Sequence, residues 1–362
     1  MSDLQRGWFR ERPADRRPGG PAAGAPGVTG HWPAQSPARA VPRPGRWPPR
    51  ARTVIKIVAA VVALVLASGA GLYLYLDSRL TRASALAASA PSAGQNWLIT
   101  GATGTLTAGQ QIQLHTGHDT DTLSDTIMLL HVPANGGRPV LVSIPRDSYV
   151  PIPGNGQNKI NAAYAFGGPV LLVRTVQDVT GLHIDHYLGI GFTGLVSVVN
   201  AIGGVRMCLP GPMADPAAGL NLKAGCRALN GTQALGYTRT RAFALGDLQR
   251  VQDQRVLLKA ILSKVTSAGT LVNPFAIIPA ATGSADSITV DPGTHLYQLI
   301  QVAFALRDPE TTTVPFGGFE NTSVGSVVLW NRPEALQLFG DLAKDQPVPR
   351  SLLTGSSAKP TV

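Results

Sequence analysis

The chain has 362 residues and a formal net charge of +10, which is enough for one sizeable folded domain with additional segments. Most of the excess positive charge lies in the first 53 residues, so the rest of the chain is close to neutral. This distribution argues against a nucleic-acid-binding surface on the folded part, and no nucleic acid is expected as a partner.

Residues 1–53 are rich in proline, glycine, alanine and arginine, so this basic segment is predicted to be disordered. Residues 54–76 are almost entirely apolar, and about 20 apolar residues are enough to cross a bilayer as a helix. The arginines before this run keep the N-terminus in the cytoplasm by the positive-inside rule. The sequence therefore predicts a single-pass cell-membrane protein with its remaining chain outside the cell.

A cleaved signal peptide is the alternative, because Ala88-Ser89-Ala90 resembles a cleavage site with small residues. The apolar run is longer, and the basic leader more extended, than in an ordinary signal peptide. A permanent anchor is therefore the favoured interpretation, followed by an alanine- and serine-rich linker at residues 77–95.

Residues 96–348 are predicted to form one α/β domain with α-β-α layers around a central mixed sheet. Apolar and β-branched runs predict strands at residues 97–100, 126–131, 140–144, 187–190, 205–209, 287–290, 311–314 and 324–330. Helical patterns predict helices at residues 161–166, 170–179, 192–202, 231–235, 247–266, 296–307 and 333–342. The polar tail at residues 349–362 is predicted to be disordered.

The chain has two cysteines, Cys208 and Cys226, both in the part predicted to be extracellular. In an oxidising compartment they would pair and close a loop rich in proline, glycine and alanine. Neither cysteine has a neighbouring histidine or a second cysteine at zinc spacing, so a structural disulfide is predicted rather than a metal site.

The stretch 237–255 is rich in arginine: Arg239, Arg241, Arg250 and Arg255. The spacing of Arg239 and Arg241 predicts a strand with both guanidinium groups on one face. A helix is predicted from Asp247, with Arg250 and Gln254 on one helical face. Such planar donors suit phosphate or pyrophosphate, while a surface ion-pair network is the alternative interpretation.

Other charged residues follow or precede predicted strands. Asp125 comes directly before one strand, Arg146 and Asp147 follow the next, and Lys159 precedes a helix. Each of these residues, taken singly, could equally serve as a helix cap or as an ion-pair partner. Their recurrence at strand ends points to a ligand, because α/β sheets bind ligands there.

A family resemblance rests on segments in a fixed order: SDTIMLLHV, SIPRDSYV, KINAAYAFGGP, TGLHIDHYLGIGF, LNGTQALGYTRTR and DLQRVQDQ. As a set they resemble the LytR-CpsA-Psr family of cell-wall enzymes, most of all its actinobacterial members, over roughly residues 96–348. The resemblance implies a phosphotransferase at the outer face of the membrane. It would move a glycan phosphate from a polyprenyl-pyrophosphate carrier to a hydroxyl of peptidoglycan.

By motif position, the resemblance implies pyrophosphate contacts from six residues: Arg146, Lys159, Arg239, Arg241, Arg250 and Gln254. It implies Asp125 as one carboxylate of a Mg²⁺ site, and Asp247 as the acid that holds the arginines. Guanidinium groups and Mg²⁺ would stabilise the charge that develops as the anhydride bond breaks. An apolar carrier also needs a groove, for which residues 188–199 are a candidate wall, although their composition better fits a core helix. Asp125 and Asp147 are weak candidates for the general base.

The chain departs from the family pattern at two places. Residues 101–105 read GATGT where many members have an acidic turn, so a second metal carboxylate is missing unless Asp119 or Asp121 replaces it. Val150 stands where a second arginine is often found. The alternative function is therefore a membrane-anchored protein that binds polyprenyl phosphate or glycan with little or no turnover. A transcriptional regulator is disfavoured, because no basic DNA-reading helix is evident.

Overall fold

A computed structural model describes residues 49–102, 124–240, 247–267, 269, 282 and 287–353. For residues 49, 52, 102, 124, 125 and 247–254 it describes the backbone alone. The chain divides into two units, Met1–Ala60 and Val61–Val362.

Helix α1 spans Pro49–Arg79. Its part Thr53–Arg79 has 27 residues, and among the described residues it is the one helix long and apolar enough to cross a membrane. The side chains of residues 53–71 are exposed, as contact with lipid requires. The helix agrees with the predicted membrane-spanning segment and ends three residues later than the pattern indicated.

The remaining helices are α2 (Ile160–Thr180), α3 (Phe192–Ala201), α4 (Gly231–Arg239), α5 (Asp247–Val265), α6 (Leu296–Ala305) and α7 (Arg332–Ala343). The first strands are β1 (Thr81–Arg82), β2 (Gln95–Ala102), β3 (Ser124–Val132), β4 (Val140–Ile144), β5 (Tyr149–Ile152), β6 (Gly156–Lys159), β7 (His186–Gly191) and β8 (Val205–Leu209). They are followed by β9 (Met213–Asp215), β10 (Leu220–Leu222), β11 (Gly225–Leu229), β12 (Ile288–Val290), β13 (Glu310–Thr313), β14 (Phe316–Thr322) and β15 (Gly325–Trp330).

Seven strands form a mixed sheet in the order β1–β12–β7–β2–β3–β4–β13. Strands β2, β4, β7 and β13 run in one direction, because β2 pairs parallel with β7, β13 pairs parallel with β4, and β3 runs antiparallel between β2 and β4. Strands β1, β3 and β12 run the opposite way. The predicted central mixed sheet is confirmed.

Helices cover both faces of this sheet. On one face, apolar side chains of β2, β3 and β4 pack with those of α2 and α7, including Val173 and Leu338. On the other face, alternate residues of the same strands pack with α5 and α6, including Leu258 and Val302. The alternation of inward side chains along each strand therefore produces the predicted α-β-α layers.

A separate apolar cluster lies beside the sheet and joins α3, α4 and α5 to β8, β10 and β11. Strands β8 and β11 are antiparallel, and Cys208 lies directly opposite Cys226 in their register. The two cysteines form a disulfide with 3.9 Å between their Cα atoms. The predicted pairing is confirmed, and it closes the loop that carries β9 and β10.

Replacing both cysteines with serine is expected to lower the free energy of unfolding by about 3 kcal/mol, the chain-entropy cost of opening a loop of this length. Urea denaturation of the full-length protein in detergent measures it. The matched control is the wild-type protein after reduction, which should show the same loss. An unchanged unfolding midpoint in both samples would contradict the expectation.

The predicted strand at residues 237–241 is wrong where the structure describes it, because Tyr237 and Arg239 belong to helix α4. The cause is a capping box at the start of that helix. The Asn230 side chain accepts the backbone N–H of Gln233, and the Gln233 side chain accepts the backbone N–H of Asn230. The helix nucleated in this way extends to Arg239, four residues beyond the predicted end.

Other differences are smaller. The helices predicted at residues 161–166 and 170–179 are both present, and a kink with non-helical backbone at Gly167 and Gly168 separates them within α2, ahead of Pro169. Part of the predicted linker forms β1, which pairs with β12. The hairpins β5–β6 and β14–β15 were not predicted as pairs.

Candidate functional site

Three of the predicted ligand-binding residues, Arg146, Lys159 and Arg239, have described side chains and lie at one edge of the central sheet, which we call the site edge. It is formed by the C-terminal ends of β2, β4, β7 and β13 and by the N-terminal end of β3. The backbone of Asp125 lies there, because it is the second residue of β3. Arg146 follows β4 at the same edge, two residues after Ile144.

Arg146, Asp147 and Lys159 form a charged cluster at the site edge. Lys159 Nζ lies 3.0 Å from Asp147 Oδ1, and Arg146 Nε lies 3.5 Å from Asp147 Oδ2. Asp147 is buried, with 7% of its surface exposed, whereas the Arg146 and Lys159 side chains keep 19% and 25%. A buried carboxylate thus holds two cations in place while both remain accessible to an anion.

The local chain explains why these residues meet. A turn at Pro145 is closed by the hydrogen bond from Ser148 N–H to the Pro145 carbonyl. The hairpin β5–β6 then returns the chain, with Lys159 opposite Tyr149. The backbone N–H of Asn161 finally donates to the Arg146 carbonyl, which ties the start of α2 to the loop.

The hairpin β14–β15 is hydrogen-bonded to this loop. The Val328 N–H donates to the Asp147 carbonyl, and Trp330 Nε1 donates to Ser148 Oγ at 2.9 Å. Gly325 lies beside Lys159, whose Nζ would be 3.8 Å from a Cβ at that position. The backbone of the cluster is therefore held by three separate segments of the chain.

Arg239, the last residue of α4, lies near the C-terminal end of β7. Its guanidinium carbon lies 5.7 Å from the centre of the Phe192 ring, a cation–π contact. Phe192 opens α3 directly after the C-terminal end of β7. Because β7 and β4 are three strand spacings apart, their C-terminal ends lie about 14 Å from each other along the site edge.

Several predicted site residues are not tested by these contacts. Arg241, Asp119 and Asp121 lie outside the described residues. Asp247, Arg250 and Gln254 lie on α5, and Asp125 on β3, where the structure describes backbone alone. Their proposed roles stay predictions.

Arg255 is the first side chain described on α5, and it points toward the sheet. Its Nη2 donates to Thr313 Oγ1 at 3.0 Å, and burial lowers the pKa of Arg255. Thr313 ends β13 and pairs with Ser143 of β4, so α5 passes close to the site edge. Arg255 belongs to the arginine-rich stretch of the sequence, but its contact with β13 is evident only from the structure.

A cavity of about 670 Å³ lies between α5 and the β4–β13 side of the sheet. Arg255 lines it, as do Leu141, Leu258 and Leu306, which also belong to the apolar layer under α5 and α6. The lining therefore combines apolar side chains with charged ones, which include Arg138, Lys259, Glu310 and Arg350. Residues 188–199, the wall predicted from the sequence, are not among its lining residues, and they form the end of β7 and much of α3 instead.

A buried hydroxyl pair lies beneath the site edge. Thr100 Oγ1 and Tyr187 Oη are 2.8 Å apart, and both residues are fully buried. Burial, with a smaller effect from Tyr164, raises the pKa of the Tyr187 phenol. The pair is therefore neutral, and it fixes β2 against β7 below the edge. No pattern in the sequence predicts this contact.

Among the residues whose side chains the structure describes, no group of three histidines, cysteines or carboxylates could hold a metal ion. Both oxygens of Asp147 already face cations, which makes it a poor magnesium ligand. The position of Asp125 at the site edge is compatible with one carboxylate ligand for magnesium. Mg²⁺ that is bound to phosphates needs few ligands from the protein.

Sequence comparisons assign relatives to this chain. The sequence model of the LytR_cpsA_psr family matches residues 78–324. The chain is 45% identical over 297 residues to the "Probable cell wall biosynthesis protein LcpB" of Corynebacterium glutamicum, with 80% of this chain and 72% of that protein covered. It is 37% identical over 161 residues to the "Polyisoprenyl-teichoic acid--peptidoglycan teichoic acid transferase TagU" of Enterococcus faecalis, covering 44% of this chain and 52% of TagU.

Solved structures share the fold. A LytR-Csp2A-Psr enzyme from Actinomyces oris matches with a TM-score of 0.59 and 23% identity, covering 74% of this chain and 96% of that one. TagT bound to LIIa-WTA matches with a TM-score of 0.53 and 23% identity, covering 69% and 90%. At this level of identity the likeness shows the fold alone.

Proposed function

The chain belongs to the LytR_cpsA_psr family, and on this premise we propose that it transfers a glycan phosphate from a polyprenyl-pyrophosphate carrier to a hydroxyl of peptidoglycan. The observation that carries the proposal is the site edge. Cationic side chains from separate segments, Arg146, Lys159 and Arg239, lie along one edge of the sheet. Named relatives that act on teichoic acid and peptidoglycan support the class of donor and acceptor.

In the proposed reaction the acceptor hydroxyl attacks the phosphorus that carries the glycan. A new P–O bond forms to the acceptor oxygen, the anhydride P–O bond breaks, and polyprenyl phosphate leaves with the electron pair of that bond. The hydroxyl proton passes to a base or to solvent. Negative charge builds on the leaving phosphate, and the fixed cations of the site edge stabilise that charge.

Asp147 serves as a positioning residue in this scheme. Its oxygens face Lys159 and Arg146, so the carboxylate orients both cations before the donor binds. Both carboxylate oxygens already contact cations of the cluster, which argues against Asp147 as the general base. Asp125 stays a candidate for magnesium, and Mg²⁺, when bound, would neutralise phosphate charge.

The cavity beside Arg255 suits the carrier. A pyrophosphate held at the site edge would lie near Thr313, and the cavity continues from Arg255 along Leu258 and Leu306. An isoprenoid chain needs such an apolar wall, while its phosphates need cations at one end. We infer that this cavity receives the carrier chain next to its phosphates.

Two features support the proposed placement in the membrane, helix α1 and the disulfide. A helix of this length and composition fits a single membrane crossing. The arginines before the helix favour a cytoplasmic N-terminus. The Cys208–Cys226 disulfide supports an oxidising, external location for the folded domain.

The proposal is tested with the full-length protein in detergent, a polyprenyl-pyrophosphate oligosaccharide, Mg²⁺ and peptidoglycan fragments. Release of polyprenyl phosphate together with glycan-modified peptidoglycan is expected, and EDTA should reduce both. Binding of the donor without release at any Mg²⁺ concentration would contradict a transferase and favour the carrier-binding alternative. Omission of peptidoglycan is the control, because simple hydrolysis would release the lipid without it.

A further inference from the structure

One face of helix α6 is apolar and exposed in the structure. Tyr297, Ile300 and Phe304 are spaced three and four residues apart, so they lie on one side of the helix. They are 50%, 49% and 49% exposed. The opposite side, with Leu299 and Val302, packs into the sheet layer. The helix sequence LYQLIQVAFA contains no charged residue.

This exposed face begins directly at the end of the membrane-spanning helix. The backbone N–H of Leu296, the first residue of α6, donates to Asp77 Oδ1 at 2.8 Å. His295 Nδ1 lies 3.2 Å from the other Asp77 oxygen, and Arg82 Nη2 also contacts that oxygen, at 2.8 Å. The first turn of α6 is therefore fixed to the last turns of α1.

The depth of Asp77 in the bilayer follows from the sequence of α1. Lys56 and Asp77 enclose a stretch without charged residues. At 1.5 Å per residue that stretch is about 30 Å long, the thickness of the hydrocarbon core. Asp77 must therefore lie at the boundary between hydrocarbon and headgroups, and α6 begins at that boundary.

The folded domain also packs against the last part of α1. Leu76 is buried, and Leu72 and Tyr73 are half-buried, whereas residues 53–71 are exposed. Those three residues lie within the apolar stretch, so the domain touches α1 at bilayer level. A domain held this close to the membrane brings its adjoining surface into contact with lipid.

We propose that the face formed by Tyr297, Ile300 and Phe304 lies in the headgroup region of the bilayer and is a second membrane contact of the chain. Tyrosine, phenylalanine and isoleucine on an uncharged helix face are suited to the interface, where aromatic rings are favoured. Since Leu306 follows α6 and lines the cavity beside Arg255, this contact holds that cavity near the bilayer. The proposal depends on α1 as a membrane anchor and not on transferase activity.

The test uses the full-length protein in lipid nanodiscs of phosphatidylcholine and phosphatidylglycerol, which leave both bilayer faces open to solutes. The chain's two cysteines form the disulfide, so Ile300→Cys provides one free thiol for an environment-sensitive fluorophore. The matched control is Glu320→Cys on β14, an exposed position on another element. Phe304→Cys is a second label site, should the first substitution disturb the fold.

At position 300, a nitroxide lipid with its spin label high on the acyl chain should lower the emission about twofold or more, as expected for insertion into the interface. Iodide in the buffer should have little effect there. At position 320, iodide should lower the emission and the nitroxide lipid should have little effect. Equal quenching by iodide at both positions would overturn the proposal. Protection of position 300 from both quenchers would overturn it too, since a second copy or another protein would then cover the face.

Discussion

Replacing Arg146 with alanine is expected to lower the rate of glycan phosphate transfer by about 10²–10³-fold, the usual cost of losing one fixed donor to developing charge. Arg146 follows β4 and lies beside Asp147, with a side chain that is mostly buried and partly exposed. Its planar donors suit two phosphate oxygens at once. The measurement is the rate of polyprenyl phosphate release with saturating donor.

Two matched variants separate the role of Arg146 from a general loss of positive charge. Arg146→Lys keeps the charge but loses the forked geometry, so it should recover only part of the rate. Arg206→Ala removes an exposed arginine of β8 and should leave the rate unchanged. A full rate in Arg146→Ala, or an equal loss in Arg206→Ala, would refute a specific role at the site edge.

Replacing Asp291 with alanine is expected to lower the free energy of unfolding by about 3 kcal/mol, because several buried donors would lose their acceptor. Asp291 follows β12 and is 1% exposed. Its carboxylate accepts the Tyr187 N–H at 3.0 Å, the Gly293 N–H at 3.0 Å and the Thr294 hydroxyl at 2.5 Å. It thus ties β7 to the turn that leads into α6. Urea denaturation in detergent measures the loss.

The same carboxylate predicts a pH dependence. Burial alone would raise the pKa of Asp291, but hydrogen bonds from His186, Thr294 and the Tyr187 N–H outweigh it, and the pKa is lowered. A lowered pKa means that the unfolded chain binds the proton more readily than the folded one. The stabilisation is therefore present above the unfolded value of about 4 and is lost as the pH falls through the lower folded value.

Asp291→Ala should accordingly unfold with a shallower dependence on pH at the acid end than the wild type. Asp308→Ala is the control for removing an acidic residue, because Asp308 is 74% exposed and pairs with an exposed Arg138. That variant should change the free energy of unfolding by at most about 0.5 kcal/mol. A similar small loss in Asp291→Ala would show that its hydrogen bonds contribute little.

The positions of the charged site residues were only partly predictable. Arg146 was placed at the end of a strand because Pro145 and the charged pair interrupt an apolar run, a signal contained in a few neighbouring residues. The strand at residues 237–241 was wrong because two arginines with period-two spacing are a short pattern, and the capping box at Asn230 outweighs it. Arg241 lies outside the described residues and stays a prediction, and the side-chain roles of Arg250, Gln254, Asp247 and Asp125 stay predictions as well.

The sequence by itself determined the long apolar helix α1, the order of buried strands and helices, and the pairing of Cys208 with Cys226. Each depends on composition, on a local period or on the count of one residue type. The tertiary structure alone decided that Asp147 lies between Lys159 and Arg146, and that Asp77 receives the N–H of Leu296, 219 residues away. Contacts of this kind depend on strand order and register, which bring together distant segments that no local pattern relates.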